Sequence, residues 1–308
     1  MTAIWFVREV SPELAEALAD PPLGLGPLTA VGPALEDRVH AAGILAGGEP
    51  YSAEVLDSLP NLRVLSRIGI GYDAVDLAAA TERGILVTNT PDGPTTSTAE
   101  HTIALMMAVA HELKPSAERL RDATGDYVSL QNSMELRDRV LGLVGYGRIG
   151  RRVAAMAEAI GMRVLISDPA LDDSVPLDEV LSSSDVVSLH APATSSTIGM
   201  IDASALARMK PGSILINCAR GPIVNTDDLL AALESGHLMG AGLDVTEPEP
   251  LPADHPLLHM PNVIVTPHIA SNTVAGRARM ERMAFEQMTL GLSGQRPTKL
   301  LNADVWKG

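Results

Sequence analysis

The sequence predicts an α/β protein of two domains, each a parallel sheet flanked by helices in the Rossmann-like or flavodoxin-like manner, with a cleft between them. Three observations predict it. Short apolar runs of strand length alternate with helical stretches along the whole chain, the pattern of parallel strands joined by crossover helices. That pattern restarts at Val140, just before a glycine-rich turn, Gly145-Tyr146-Gly147-Arg148-Ile149-Gly150. A length of 308 residues is enough for two cores.

In the first part Ile4-Trp5-Phe6-Val7, Gly43-Ile44-Leu45-Ala46, Arg63-Val64-Leu65-Ser66 and Ile85-Leu86-Val87-Thr88 read as strands. Thr98 to Leu113 reads as a long, mostly apolar helix. Residues 114–139 read as polar and irregular, a bridge or subunit arm. From Val140-Leu141-Gly142-Leu143-Val144 onward, further strands are expected over 163–167, 185–189, 213–217, 240–243 and 262–265, and a helix from about Thr273 to Leu290 closes the chain. Residues 1–97 with 273–308 are expected to form a substrate domain and 98–272 a cofactor domain. The chain then crosses twice, near Thr98 and Thr273, at candidate hinges.

Composition narrows the function classes. Hydrophobic residues make up 46% and charged residues 20%, so the chain is globular. Only 3% is aromatic, so the cores must be aliphatic. Lys and Arg total 23 against 38 Asp and Glu, a formal charge of −15, which repels nucleic acid and anionic membranes. It also repels anionic substrates at long range, so a site for them must carry its own cations. The single cysteine, Cys218, excludes an intrachain disulfide and fits a reducing compartment. No His/Asp/Glu cluster has metal-ligand spacing. Residues 1–7 do not read as a signal peptide, and the longest apolar run, Ile103 to Ala110, is far shorter than the ~20 residues of a membrane span. A soluble, cytoplasmic protein is expected.

The cofactor signal is strong because of its context. An apolar strand enters the glycine turn and an Ala-rich helix leaves it. Gly145 permits the tight turn, Gly147 lets the backbone approach a pyrophosphate, and Gly150 lets helix and strand pack closely. Arg148 and Ile149 open the helix, whose N-terminal N–H groups and dipole suit phosphates. Asp168 ends the next strand, placed to hold ribose hydroxyls and to repel a 2′-phosphate. NAD is therefore favoured over NADP. The alternative is that Asp168 only turns the chain before Pro169.

Three later motifs each follow a strand: Asn217-Cys218-Ala219-Arg220-Gly221, Leu243-Asp244-Val245-Thr246-Glu247-Pro248-Glu249-Pro250 and Thr266-Pro267-His268-Ile269. Ligands of open α/β sheets gather beyond the carboxyl ends of strands, so an arginine, a carboxylate and a histidine could meet at one dinucleotide. Together with residues 67–76 and 84–91, these motifs resemble the D-isomer-specific 2-hydroxyacid dehydrogenase family over nearly the whole chain.

The resemblance implies NAD-dependent interconversion of a D-2-hydroxy acid and its 2-keto acid. It implies that His268 is the acid/base, that Glu249 hydrogen-bonds its imidazole and favours imidazolium, and that Arg220 anchors the substrate carboxylate. It implies further that Ile70 and Gly71 offer backbone N–H groups to that carboxylate, and that Asp244 contacts the nicotinamide end of the cofactor. It implies too that the segment around His190 borders the cofactor and that Cys218 adjoins it, although a small buried filler is the simpler reading of a lone cysteine. A homodimer is implied, with residues 114–139 reaching across. Glu247 competes with Glu249 as the histidine's partner, and His101 and His111 read as packing or surface residues.

Departures from the pattern bear on the substrate. The loop Ala46-Gly47-Gly48-Glu49-Pro50 carries glycines where relatives handling phosphorylated acids place arginine or serine, although its N–H groups could form a small anion nest. Arg67 is the nearest motif-borne cation, and Pro222 stiffens the loop after Arg220. D-3-phosphoglycerate dehydrogenase and an NAD(H)-sensing corepressor-like binding protein are the alternative functions. Formate dehydrogenase fits less well, because that branch pairs its histidine with glutamine.

Overall fold

A computed structural model describes residues 2–32, 34–121 and 132–307. The chain divides into two compact units, one of residues 1–94 with 274–308 and one of residues 95–273.

The first unit comprises β1 (Thr2–Phe6), α1 (Pro12–Ala19), β2 (Leu28–Val31), β3 (Gly43–Ala46), α2 (Ala53–Asp57), β4 (Val64–Arg67), α3 (Leu77–Glu82) and β5 (Leu86–Thr88). Its five strands are all parallel, in the order β2-β1-β3-β4-β5. Strand side chains alternate between faces. Ile4 and Phe6 join Leu45 and Val64 on one side, while Trp5 joins Ile44, Leu65 and Val87 on the other. The second face is covered through Leu56, Ala79 and Ala80 of α2 and α3. Ser11, Ser52 and Asp76 cap α1, α2 and α3 by accepting a backbone N–H with their side chains.

The second unit opens with α4 (Thr95–Ala110) and α5 (Leu113–Arg121) and continues through β6 (Val140–Val144), α6 (Arg148–Ile160), β7 (Arg163–Ser167), α7 (Leu177–Ser183), β8 (Val186–Leu189), α8 (Ala203–Arg208), β9 (Ser213–Asn217), α9 (Thr226–Glu234), β10 (Leu238–Leu243), α10 (Pro256–His259) and β11 (Val263–Val265). Its six parallel strands run β11-β10-β9-β8-β6-β7. The strands are almost wholly buried apolar runs, as a sheet covered on both faces requires. α4 and α6 cover one face over Leu141, Leu143, Val186, Ile214 and Ile216. α7, α8 and α9 cover the other over Val187, Leu189, Leu215 and Leu243. The hydroxyls of Ser97 and Thr273, near the two ends of this unit, hydrogen-bond at 2.7 Å.

The chain then returns to the first unit as α11 (Val274–Leu292), which packs on β3, β4 and β5 through Met280, Ala284, Phe285, Met288 and Leu292.

Three local expectations need correction. A strand forms at Leu28–Val31, inside a stretch dense in Pro and Gly that hides it. The stretch expected to be irregular begins with a charged helix, Leu113–Arg121; the part expected as an arm that falls on 122–131 lies outside the described residues. The long helix ends at Ala110 rather than running to Leu113, because Glu112 takes a positive φ of 49° and breaks it from the next.

Candidate active site

The switch point of the second sheet lies between β6 and β8, where strand order reverses and a crevice opens beyond the carboxyl ends. The glycine turn sits there. Gly145 has φ of +96°, and an added Cβ would come within 2.7 Å of the His190 carbonyl carbon. Gly150 packs so tightly that a Cβ would approach the Gly145 carbonyl oxygen at 2.5 Å. Gly147 caps α6, and a Cβ there would meet nothing within 4 Å, so the space above the turn is open to a phosphate. Arg148 and Ile149 begin the helix whose N–H groups border that space.

Asp168 stands at the end of β7. Its carboxylate accepts hydrogen bonds from the N–H groups of Tyr146 at 2.6 Å and Ala170 at 2.9 Å, which ties the carboxylate to the glycine turn. His190 lies against the same turn: its N–H donates to Val144 O at 2.7 Å, and its Nε2 is 3.0 Å from Ser188 Oγ. Burial lowers the His190 pKa to about 4, so the ring is neutral at pH 7. These residues fit a dinucleotide: an open cradle over a helix N-terminus, and a carboxylate one strand away.

The loops after β9, β10 and β11 are stitched together. Asn217 forms an Asx turn, accepting from Ala219 N–H at 3.0 Å and donating to Arg220 O at 2.9 Å. This fixes the backbone that carries Arg220, whose Nη1 donates to Ala219 O at 2.6 Å. Gly221 presses on the next loop, where any Cβ would collide with the Thr246 carbonyl oxygen. Asp244 N–H donates to Asn217 O, and Thr226 Oγ1 donates to Glu247 O, at 2.8 and 2.6 Å.

His268 follows β11 with φ of +53°, a left-handed geometry uncommon outside glycine. Asp244 holds it there. The N–H of His268 donates to Asp244 O at 2.8 Å, and the next two N–H groups, of Ile269 and Ala270, donate to the Asp244 carboxylate at 2.8 Å each. Thr266 Oγ1 donates to the same carboxylate at 2.6 Å, and His101 Nε2 lies 3.5 Å from it. Asp244 is only 1% exposed. Burial alone would raise its pKa, but hydrogen bonds from His101, Thr266, Ala270 and Ile269 outweigh that and hold it below the usual value.

The His268 side chain is thus presented from a pinned turn. Its Nδ1 is 2.6 Å from Glu249 Oε1, with both side chains partly exposed. Glu249, not Glu247, is the residue at this nitrogen. Nε2 is the ring nitrogen turned away from that contact.

The structure therefore gathers Arg220, Asp244, Glu249 and His268 on one set of loops and Gly145, Gly147, Gly150, Asp168 and His190 on another, all at the carboxyl edge of one sheet. Cys218 is packed in the apolar cluster beneath α4, and burial pushes its thiol up to about 12, so it stays protonated. Ile70 and Gly71 belong to the first unit. Their loop is fixed by Asn89 Nδ2 donating to Ile70 O and by Gly69 N–H donating to Thr90 Oγ1, both at 2.8 Å. His101, expected to be a packing or surface residue, instead binds Thr266 at 3.0 Å and faces Asp244. Nothing in its local sequence shows this, since its partners lie far along the chain. The turn made by the Asn217 side chain does carry a local signal, an Asn directly after a strand.

A sequence model described as "D-isomer specific 2-hydroxyacid dehydrogenase, NAD binding domain" matches residues 103–270. The chain belongs to the D-isomer-specific 2-hydroxyacid dehydrogenase family. It is 40% identical over 271 residues to a glyoxylate reductase of Korarchaeum cryptofilum (strain OPF8), covering 84% of this chain and 82% of that one. It is 41% identical over 243 residues to a D-3-phosphoglycerate dehydrogenase of Archaeoglobus fulgidus, covering 76% of this chain and 46% of that one. The crystal structure of the TT0316 protein from Thermus thermophilus superposes with a TM-score of 0.89 at 38% identity, covering 97% of this chain and all (100%) of that one. The dehydrogenase is an NAD-dependent oxidoreductase that interconverts a 2-hydroxy acid and its 2-keto acid. Among the described residues, no helix is long and apolar enough to cross a membrane.

Proposed function

We propose that this dehydrogenase reduces a short 2-keto acid, of the glyoxylate or hydroxypyruvate class, with His268 as acid/base. The observation that carries the proposal is the 2.6 Å contact between His268 Nδ1 and Glu249 Oε1. It orients the ring, so that Nε2 can give a proton to the carbonyl oxygen of the substrate and recover it in reverse. The bound nicotinamide supplies or accepts the hydride.

Arg220 holds the substrate carboxylate through its planar fork and polarises the carbonyl. This local cation offsets the long-range repulsion of a chain with formal charge −15. Gly145, Gly147, Arg148, Ile149 and Gly150 cradle the pyrophosphate, Asp168 the ribose hydroxyls, and His190 and Cys218 flank the cofactor through their backbones. Asp244 fixes the turn of His268 beside the nicotinamide end. In the first unit, the substrate domain of this reading, the N–H groups of Ile70 and Gly71 receive the carboxylate. The enzyme works in the cytoplasm as a homodimer. Phosphoglycerate is the second reading, supported by the relative that is 41% identical.

A panel of 2-keto acids with NADH tests this. Wild-type enzyme oxidises NADH with glyoxylate or hydroxypyruvate. His268→Gln lowers kcat by about 10²–10⁴, while Arg220→Gln chiefly raises KM. Normal rates in both variants would defeat the assignment, and NADH binding without turnover of any keto acid would favour a sensing protein.

A further inference from the structure

The sheet of the first unit has its own switch point. In the order β2-β1-β3-β4-β5, the crevice competent for ligands lies outside the carboxyl ends of β1 and β3. Gly47 and Gly48 follow β3 there, and exposed backbone N–H groups of such a loop would suit an anion. The structure fills that place with a carboxylate of its own. Glu49 Oε1 accepts from Gly47 N–H at 2.9 Å and from the Tyr51 hydroxyl at 2.7 Å. A Cβ on Gly47 would come within 2.6 Å of Glu49 Oε2 and 2.7 Å of Val7 Cγ2, so the carboxylate sits in the mouth between β1 and β3. A side chain at position 47 would have to displace the Glu49 carboxylate from this place or pair with it.

The arrangement is built from beneath. Tyr51 is fully buried (0% exposed), and the Arg38 guanidinium lies 5.3 Å from the centre of its ring and 5.6 Å from that of Trp5. Burial and the adjacent Glu49 carboxylate both raise the tyrosine pKa, so its hydroxyl remains a donor and keeps the glutamate in place. The cations at neighbouring strand ends are engaged. Arg8, after β1, pairs with Glu281 at 3.2 Å. Arg67, ending β4, donates to Ala46 O and Ile68 O at 3.2 and 2.8 Å.

We infer that Glu49 is a charge-selecting residue of the substrate site: it occupies a loop that could otherwise hold a second anion and restricts the enzyme to 2-keto acids with uncharged side chains. The inference rests on the reading of the first unit as the substrate domain. An incoming phosphate or distal carboxylate meets a fixed negative charge, whereas a hydrogen, methyl or hydroxymethyl group does not, and a hydroxymethyl group can donate to Glu49.

The test compares hydroxypyruvate with 3-phosphohydroxypyruvate, with NADH, in wild type, Glu49→Gln and Tyr51→Phe. Gln keeps an oxygen for Gly47 N–H and Tyr51 and removes only the charge. The ratio of kcat/KM, phosphorylated over unphosphorylated, rises about tenfold in Glu49→Gln, the scale of a like-charge penalty near a protein surface. The gap between the two enzymes narrows at high salt. Tyr51→Phe leaves the charge and the Gly47 N–H that still holds it, and raises the ratio less than Glu49→Gln does. An unchanged ratio in an active Glu49→Gln enzyme, or an equal rise in Tyr51→Phe, overturns the role of Glu49 alone. Turnover of neither acid by wild type overturns the substrate reading beneath it as well.

Discussion

Replacing Asp244 tests how the reactive histidine is held. Asp244→Ala removes the carboxylate that accepts from Thr266 Oγ1 and the N–H groups of Ile269 and Ala270 and that faces His101. The hydroxyl can turn to another partner and the Ile269 N–H, on a residue 39% exposed, can turn to water, but the Ala270 N–H is buried. A buried donor left unsatisfied costs about 1–3 kcal/mol, so the loss is about 2 kcal/mol. For a unit of this size about 2–4 °C is lost per kcal/mol, and the unfolding midpoint of the second unit falls by about 6 °C. Activity falls further than stability implies, since misplacing a reacting group by about 1 Å can cost roughly 100-fold. Asp244→Asn keeps one acceptor and loses less. The assays are differential scanning calorimetry and keto-acid turnover with NADH. A midpoint within about 2 °C of wild type, with normal kcat, would refute the claim that this carboxylate organises the turn. The same interaction sets a pH dependence. The Asp244 pKa is lowered in the folded protein, so its stabilisation is complete above the unfolded carboxyl value, about 3.9, and disappears as pH falls through the lowered folded value.

Two further predictions concern the other loops. Gly221→Ala drives a methyl group into the Thr246 carbonyl and separates the loops of Arg220 and Glu249; soluble variant protein should show a raised KM and a lowered kcat together, and unchanged kinetics would show that the contact does not matter. Asp168→Asn keeps acceptor oxygen for Tyr146 N–H while removing the charge that repels a 2′-phosphate, so the NADPH-to-NADH ratio of kcat/KM should rise about tenfold; an unchanged ratio would place cofactor selection elsewhere.

Much of this was legible along the chain because the signals are local. The glycine turn, the strand before it and Asp168 are set by spacing within one βαβ unit, and the buried strands of a doubly covered sheet announce themselves as apolar runs. What was hidden depends on contacts between distant residues or on weak patterns. Leu28–Val31 has too short an apolar run among prolines and glycines to stand out. His101 reveals its partner only when α4 is laid against β10 and β11. The Gly47-Gly48 loop reads as a possible anion nest, and only the folded chain shows that Glu49 turns back two residues to fill it.

The placement of α11 has a consequence for biosynthesis. The first unit takes its five strands from residues 2–88, yet Met280, Ala284, Phe285 and Met288 complete one of its cores. Asn302, farther on, accepts from Val87 N–H and donates to Ile85 O. A nascent chain therefore emerges with β1 to β5 lacking the cover of one face, while the uninterrupted nucleotide-binding half can fold first. The earlier-made of the two halves is the later to mature, and it waits on residues made some 200 positions downstream to leave the ribosome.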